Sequence, residues 1–392
     1  MRKADELFLH KADICSFLSH HWQSKSWVPI LRFHYTMEHT TTSTLNISTS
    51  TTSVLPEINT TFSYDSLPAY TLALTGTSCC LSIFGAIFIA VTYCLLREIR
   101  NFPRKLLLYL TFADLLNASG NLMGTIRYAL SKEGDKFRNN SRAIHYYTSR
   151  SEVCIIQSFI TTFSSMASFF WTVVIAVYIF TAVVYSSHVF KGVKAECIYH
   201  LLSWGIPGAI ATTAIALNVL GEDNAMVTGS WCWIRSDLEP PVMTSIWMVL
   251  AGKGWEIMCY LTTMTLYCLL KLTLWKRRTV HFRSLNTEFR EEDNNFMFVW
   301  FVLYLLRIWG TARFILSLTA ISTYSENIGL TQFVLLNMQG VGDSSQAFWN
   351  FVIFCLCDKT VRNGIMGRCR NRAEQAPLLS PIDDTRAHRS RQ

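Results

Sequence analysis

Charged residues are scarce in this chain. Aspartate, glutamate, lysine and arginine make up 16% of its 392 residues, whereas an ordinary soluble domain carries about 25%. Half of the residues are hydrophobic, and the mean hydropathy is +0.24. This shortage of charge excludes a water-soluble fold for most of the chain.

The motifs of several enzyme classes are also missing. The sequence has no glycine-rich phosphate-binding loop, no His-Glu-x-x-His zinc motif and no cluster of histidine and cysteine at metal-ligand spacing. His145 and His188 stand alone in polar segments, where a solvated side chain is the ordinary state. We therefore expect no enzymatic activity, no metal or other cofactor, and no nucleic acid partner.

Seven long apolar runs fill much of the chain. A helix that crosses a bilayer needs about 20 mostly apolar residues. The runs cover residues 72–96, 106–130, 154–185, 198–220, 244–270, 296–321 and 330–356. The third run is longer than a bilayer is thick, so it should tilt or extend past one face. The sequence therefore predicts an all-α integral membrane protein with a bundle of seven transmembrane helices.

Lysine and arginine are unevenly shared among the segments between these runs. The basic segments are residues 97–105, the loop around Lys191 and Lys194, residues 271–293 and the tail after Asp358. The alternate segments hold fewer basic residues, apart from residues 131–153. Because basic residues favour cytosolic loops, this distribution predicts an N-terminus outside the cell and a C-terminus inside.

The sequence divides into three regions. Residues 1–68 are expected to be a disordered, Thr/Ser-rich extracellular segment, of which residues 1–36 are interpreted as an upstream extension of the gene model before a start at Met37. Residues 69–357 form the seven-helix domain. Residues 358–392 form a cytosolic tail with an amphipathic helix on the inner membrane surface. In that tail Cys369 is a candidate palmitoylation site, although an inert thiol fits equally well.

Three Asn-x-Ser/Thr tripeptides fall in segments that this topology places outside the cell. Such tripeptides are acceptors for N-glycosylation. The three asparagines are Asn46, Asn59 and Asn139. Each tripeptide alone could arise by chance, but their joint placement supports the predicted topology.

The cysteines predict one disulfide. Nine of the twelve lie in apolar runs or at cytosolic ends, where disulfides are not expected. Of the others, Cys15 lies in the N-terminal extension, so we expect Cys154 to bond to Cys232 and hold the loop between runs four and five over the bundle. The alternative is a free, packed Cys232 between Trp231 and Trp233, whose indoles favour the headgroup boundary. A bond from the third helix to this loop is typical of G-protein-coupled receptors.

Five stretches together resemble one family. They are MASFFWTVVIAVYIF (residues 166–180), LLSWGIPGAI (201–210), GSWCWI (229–234), GKGWEIMCYL (252–261) and LRIWGTARFIL (306–316). In this order they are similar to the orphan G-protein-coupled receptor 157 family, which resembles the slime-mould cyclic-AMP receptors and, more distantly, the secretin and adhesion receptors. The resemblance extends from about residue 72 to about residue 362.

The resemblance implies a receptor that passes an extracellular or ciliary signal to heterotrimeric G proteins. It favours Gq, phospholipase C and calcium, and a place in the plasma membrane or the primary cilium membrane, with membrane lipids as further partners. The sequence lacks the Asp-Arg-Tyr, Trp-x-Pro and Asn-Pro-x-x-Tyr motifs of rhodopsin-like receptors, so their switches do not carry over. Bends in helices six and seven would then come from Gly310, Gly340 and Gly342.

A polytopic transporter or channel is the rival interpretation. Charges within a membrane also line substrate paths, and this chain has several. The odd number of helices, the absence of a visible internal repeat in the sequence and the expected disulfide count against that interpretation.

Charged side chains within the predicted bilayer should face the bundle and pair, because each costs about 2.5–3.5 kcal/mol near the centre of a helix. The expected polar network contains Asp114, Glu256, Arg307, Gln339 and Asp343. In this network Glu256 and Asp343 would compensate Arg307. Lys253 and Glu256 are one helical turn apart and can share a face. A structural ion-pair cluster and a switch beneath a ligand pocket are both open, and they are compatible.

A ligand pocket is expected above this network. The candidate cations are Arg127, Lys253 and Arg313, in the outer parts of their helices. They would lie beneath Trp231 and Trp233, with Glu152 the only acid expected at that level. Such a site has a positive potential and favours a small anionic ligand. The alternative is that the loop acids Asp237 and Glu239 fold in and neutralise the site.

Overall fold

The computed structural model describes residues 67–137, 152–185, 192–222, 229–240, 242–277, 287–319 and 326–375. Residues 67–364 belong to one compact unit, and residues 365–375 are the described part of a second. The predicted start at Met37 and the predicted glycosylation sites at Asn46, Asn59 and Asn139 lie outside the described residues.

The first three predicted spans are each one uninterrupted helix. Within a bilayer the backbone must satisfy its own hydrogen bonds, which leaves helices as the form for such runs. They are α1 (Ala69–Leu95), α2 (Phe102–Phe137) and α3 (Glu152–Tyr185), with a 3₁₀ turn at Arg97–Ile99 between the first two. Helix α1 ends where Leu96 turns to an extended conformation, with its N–H still bound to the Thr92 carbonyl at 2.9 Å.

Spans 4 and 5 are each divided by a π-helical turn. Span 4 consists of α4 (Val193–His200), the π turn Leu201–Gly205 and α5 (Ile206–Ala216). Span 5 consists of α6 (Val242–Met248), the π turn Val249–Lys253 and α7 (Gly254–Arg277). A π turn inserts one residue into the helix and so rotates the side chains that follow it by about 100°.

The last two spans pack against each other and lead into the tail. Span 6 is α8 (Thr287–Thr319); span 7 is α9 (Glu326–Ser344), α10 (Gln346–Phe351) and the π turn Val352–Leu356; the tail helix is α11 (Lys359–Gln375). Helix α8 passes through Gly310 without interruption, and span 7 leaves helical geometry at Ser345, beyond Gly340 and Gly342. The structure thus places an interruption of span 7 at Ser345, and bends at Gly310, Gly340 and Gly342 stay a prediction.

Close helix approach is what the glycines of span 7 provide. A Cβ added to Gly342 would lie 1.9 Å from the carbonyl oxygen of Leu306 in α8, and one added to Gly340 would lie 2.6 Å from the Thr75 hydroxyl in α1. Span 7 therefore meets span 6 backbone to backbone at Gly342.

A short hairpin covers one end of the bundle. Strand β1 (Leu220–Gly221) pairs antiparallel with β2 (Trp233–Ile234), with Leu220 opposite Ile234. Both of these side chains are buried, and they belong to an apolar cluster with Met248 and Phe314. We call this the disulfide end of the bundle, because the Cys154–Cys232 bond lies here.

Three of the described helices are long and apolar enough to cross a membrane by length and composition. They are Ala69–Leu95, Glu152–Val184 and Phe301–Leu318, with mean hydropathies of 2.1, 2.2 and 1.5; Gln346–Leu356 is a shorter apolar helix. Span 4 falls short because a π turn divides it into helices of 8 and 11 residues. The structure thus confirms a mostly helical protein with helices that can cross a membrane.

Candidate functional site

The disulfide end is held together by a covalent bond and a glutamine clamp. Cys154, in the first turn of α3, is bonded to Cys232, with a Cα–Cα distance of 5.6 Å. Gln157, one turn further along α3, accepts a hydrogen bond from the Cys232 N–H at 2.7 Å and donates to its carbonyl at 3.4 Å. The sequence analysis did not predict this clamp. The only signal for it in the sequence is the spacing of Gln157 from Cys154, which places both on one face of the helix.

Two indoles form the roof beneath this bond. Trp231 lies so close to span 2 that a Cβ on Gly124 would come within 2.6 Å of its Cβ. Trp233 lies equally close to span 5, where a Cβ on Gly252 would come within 2.8 Å of its Cζ2. Glycines on two helices therefore make the space into which the roof fits, and both indoles line the cavity below.

The cavity under the roof is small, and most of the residues that line it are polar or charged. Its volume is about 60 Å³, and its walls include Lys253, Glu256, Arg307 and Asp343. Drug-sized ligands occupy pockets of about 300–1,000 Å³. In the arrangement seen here, the cavity therefore admits only a very small molecule or a few waters.

One wall of the cavity is an ion pair within span 5, which a hydrogen bond from Thr311 connects to span 6. The π turn in span 5 ends at Lys253, and the Lys253 ammonium lies 2.7 Å from a Glu256 carboxylate oxygen. The other oxygen of Glu256 accepts hydrogen bonds from Tyr260 and Thr311, both at 2.6 Å. Three donors therefore compensate a carboxylate that is only 2% exposed.

A second wall carries Arg307, which is 3% exposed. Its Nε donates to Gln346 at 3.0 Å, and its Nη1 donates to the Ser165 hydroxyl at 2.7 Å. The guanidinium also lies 4.7 Å from the centre of the Phe169 ring. Lys253 is the ion-pair partner of Glu256, and neutral oxygens hold the guanidinium, so neither Glu256 nor Asp343 is ion-paired with Arg307. That these two acids compensate the charge of Arg307 across the cavity stays a prediction.

From Arg307 a series of hydrogen bonds runs through the bundle. Gln346 donates to the Ser168 hydroxyl at 3.1 Å, and that hydroxyl donates to Asp114 at 2.7 Å. The other oxygen of Asp114 accepts from Asn350 at 3.1 Å. We call these five residues the polar chain. It links spans 6, 7, 3 and 2, so the predicted network exists around Asp114 and Arg307 with Gln346, Ser168 and Asn350 as members that the sequence did not single out.

The three predicted pocket cations are not gathered in one site of positive charge. Arg127 is paired with Glu222 at 3.1 Å, and Lys253 is paired with Glu256. Arg313 donates to the side-chain oxygens of Gln339 at 2.8 Å and Gln332 at 3.2 Å. The expectation of three cations opposed only by Glu152 is therefore wrong.

The acids near the roof also differ from the expectation. Glu152 is exposed at the start of α3, and Glu222 follows β1 in a segment that looked like an ordinary polar loop. Asp237 is paired with Arg235 at 2.6 Å, and both Asp237 and Glu239 are exposed. These two loop acids therefore do not fold into the pocket, and the alternative in which they neutralise it is wrong.

Comparison with known proteins decides the family. The family described as "7 transmembrane receptor (Secretin family)" matches residues 69–341, which is more than half of the chain. This chain belongs to that receptor family. Membership of this family implies seven transmembrane spans. Among the described helices, three are long and apolar enough to cross a membrane by length and composition.

Individual relatives agree with this assignment. The receptor is 30% identical over 316 residues to the G-protein coupled receptor 157 of Rattus norvegicus, a match that covers 76% of this chain and 85% of the relative. The human protein of the same name is 29% identical over 306 residues. A cyclic AMP receptor-like protein A of Dictyostelium discoideum is 27% identical over 158 residues, or 39% of this chain and 34% of the relative. The resemblance inferred from the five sequence stretches is confirmed.

The opposite end of the receptor contains a second ionic cluster. Arg104, in the first turn of α2, is ion-paired with Asp358 and donates to the Phe354 carbonyl at 3.1 Å. Phe354 lies in the π turn that ends span 7, and Asp358 accepts from the N–H groups of Thr360 and Val361 at the start of α11. Arg104 therefore ties span 2 to the junction between span 7 and the tail helix.

A further ion pair lies just outside the apolar runs at this end. Lys105 is paired with Glu196, which also accepts from the Tyr109 hydroxyl at 3.0 Å. The hydrogen bond from Lys105 holds the pKa of Glu196 below its usual range, and the same bond raises the pKa of Lys105. Both groups are therefore charged at neutral pH, and they connect spans 2 and 4.

Proposed function

We propose that the receptor carries a signal from its disulfide end, outside the cell, to a heterotrimeric G protein at its opposite end, in the cytosol. The Cys154–Cys232 bond is the observation that carries this proposal, because disulfides form and persist in oxidising compartments. The basic segment at residues 97–105 leads into the first turn of span 2 at the other end, in agreement with the preference of lysine and arginine for the cytosolic side.

The polar chain supports a switching role. Transmission needs a part of the bundle with two discrete arrangements. The polar chain begins at Arg307 on the cavity wall and reaches Asp114 through the neutral side chains of Gln346 and Ser168. An amide and a hydroxyl can each both donate and accept a hydrogen bond, so a rearrangement at the cavity can pass to Asp114 by exchange of partners.

The choice of G protein and of membrane is a finer proposal. The names of the relatives support G-protein coupling. From the family resemblance alone we propose that the receptor couples to Gq, with phospholipase C and calcium downstream. From the same resemblance we propose that it lies in the plasma membrane or in the membrane of the primary cilium.

The experiment is a panel of G-protein dissociation sensors, one for each Gα family, in cells that express the receptor at measured surface levels. We expect ligand-independent dissociation of one family, with inositol phosphate release if that family is Gq. The Cys154→Ser variant should lose the signal, while Cys80→Ser, at an exposed free cysteine on α1, should keep it.

Two results would overturn the proposal. One is a transmembrane current or substrate flux in the same cells without dissociation of any G protein, which would favour the transporter interpretation. The other is dissociation that is equal in cells with and without the receptor. Dissociation of a family other than Gq would leave G-protein coupling intact and remove the Gq assignment.

A further inference from the structure

The charges around the roofed cavity are balanced in number but only half of them are paired. Lys253 and Glu256 satisfy each other at 2.7 Å. Arg307 and Asp343 line the same cavity. Across the described part of the chain, no acid lies within 4.0 Å of the Arg307 guanidinium, and no lysine or arginine nitrogen lies within 4.0 Å of the Asp343 carboxylate. The cavity therefore has a cation and an anion on its walls that do not reach each other.

Two buried donors in the cavity walls are also left without an acceptor among the described residues. Arg307 Nη2 has no hydrogen-bond partner, although Nε and Nη1 of the same side chain are bound. The Thr162 hydroxyl, in α3, likewise has none and is 1% exposed. A buried polar group without a partner is destabilising unless something else supplies it. Both groups belong to side chains that line the cavity.

The sign of the charges limits what can supply those partners. A simple anion would be attracted by Arg307 but repelled by Glu256 and Asp343. A simple cation would be attracted by Asp343 but repelled by Arg307 and Lys253. A neutral molecule with separated charges of both signs meets attraction at both ends, because charge complementarity selects a partner by the arrangement of its charges.

We propose that this cavity binds a small zwitterion of the amino acid class. Its carboxylate accepts hydrogen bonds from Arg307 Nη2 and the Thr162 hydroxyl, and its ammonium group faces the Asp343 carboxylate. Arginine is suited to the first role, since its planar fork matches a carboxylate. The inference rests on the proposed receptor function and names the ligand class of the same site.

The size of the cavity restricts the zwitterion further. About 10–15 Å³ of cavity accommodates one water-sized group, so a volume of about 60 Å³ takes about four to six, which is the size of glycine. A larger amino acid would have to displace the roof at Trp231 or Trp233. The structure thus favours glycine over longer homologues such as β-alanine and γ-aminobutyrate.

The test uses the purified full-length receptor in lipid nanodiscs, with thermal unfolding and titration calorimetry as readouts. The probes are glycine, acetate and methylammonium, so that each charge is also presented alone. We expect glycine to raise the unfolding temperature in a saturable manner, with at least a tenfold lower apparent Kd than either single-charge probe.

Variants separate binding from folding. Thr162→Val removes an unpartnered hydroxyl and nearly preserves side-chain shape, so we expect normal folding and about tenfold weaker glycine binding. Arg307→Gln and Asp343→Asn should abolish the glycine effect. The matched controls are Arg235→Gln and Asp237→Asn, at the exposed ion pair in the loop, which should leave the glycine Kd unchanged.

Several outcomes would overturn the inference. No response to glycine at concentrations up to tens of millimolar would indicate a cavity that holds water only. Equal binding of acetate would indicate an anion site, and equal binding of methylammonium a cation site. Glycine binding that survives Thr162→Val and Asp343→Asn would place the zwitterion elsewhere. None of these readouts involves a G protein, so a failure of the G-protein panel alone would remove the proposed function and leave the zwitterion site standing.

Discussion

At the scale of single residues, the receptor keeps charge inside the bundle in two different ways. Glu256 is compensated by an ammonium group and two hydroxyls, so its charge is matched by a full opposite charge. Arg307 is held by neutral oxygens and an aromatic ring. The first arrangement resists change because both partners are charged and buried. The second can be rearranged at a lower cost.

The ion pair at Glu256 gives the first prediction. Glu256→Gln leaves the Lys253 ammonium buried without a counter-charge, and breaking a buried pair in this way typically costs about 3–5 kcal/mol. We expect a large drop in the unfolding temperature of the purified receptor. The double variant Lys253→Met/Glu256→Gln should recover most of that loss, since no uncompensated charge remains.

The pair Arg127–Glu222 is the matched control for this prediction. Its carboxylate is 23% exposed, against 3% for the side chain of Glu256. Pairs that water can reach contribute about 0–1 kcal/mol, so Glu222→Gln should have a much smaller effect. Equal losses from the two substitutions would show that burial does not set the energy of these pairs.

At the scale of elements, the arrangement of the helices depends on a few positions where backbones nearly touch. Gly342 is the most restrictive of the described glycines. The atom nearest to an added Cβ is a main-chain oxygen of α8, which cannot swing away as a side chain can. Gly76 in α1 lies at the other extreme, because a Cβ there would meet nothing within 4 Å.

This contrast gives the second prediction. Gly342→Ala should force spans 6 and 7 apart and remove the receptor from the cell surface. Gly76→Ala should be neutral or stabilising by up to about 1 kcal/mol, since alanine favours the helix over glycine. Surface biotinylation and thermal unfolding measure both effects. Normal surface levels for Gly342→Ala would mean that span 7 can shift along α8.

The hairpin element gives the third prediction, because a single bridge closes the chain between span 3 and the loop before span 5. Loss of such a bridge typically costs about 2–5 kcal/mol. Cys154→Ser, Cys232→Ser and the double variant should therefore lose stability to the same extent, with Cys80→Ser unchanged. A double variant much weaker than either single one would indicate that each cysteine has a separate role.

The sequence predicted correctly those features that the bilayer or the redox environment determines. Apolar runs of membrane length and the exclusion of cytosolic thiols were enough to predict helices and the Cys154–Cys232 bond. It did not find the pairing of Arg104 with Asp358, because the two are 254 positions apart and no local pattern connects them. The π turns were also missed, since one extra residue hardly disturbs an apolar run; the turn in span 5 ends at Lys253, which lines the cavity.

At the scale of the whole molecule, the disulfide and the basic loops divide the receptor into two chemically different ends. The disulfide end has Cys154–Cys232 and the hairpin. The opposite end has the clusters of Arg104 and Lys105. We therefore expect a membrane with an oxidising side and a cytosolic side to hold the molecule in one orientation.

The fourth prediction follows from this asymmetry. An epitope tag at the N-terminus should bind antibody on intact cells, whereas a tag at the C-terminus should require permeabilisation. Glycosidase treatment should reduce the apparent mass of the wild type, and Asn139→Gln should remove part of that change. Detection of both tags on intact cells would contradict an odd number of crossings.

The contact between Gly342 and Leu306 makes spans 6 and 7 a pair of levers with a common fulcrum. Side-chain contacts elsewhere along the two spans, such as that of Arg313 with Gln339, can follow a small turn about this backbone contact. With a rise of about 1.5 Å per residue, α8 extends about 28 Å from Leu306 toward Thr287 and about 20 Å toward Thr319. A turn of about 10° would then move the Thr287 end by about 5 Å and the other end by about 3 Å in the opposite direction. A small inward movement of α8 at the Thr319 end would thus produce a larger outward movement at the Thr287 end.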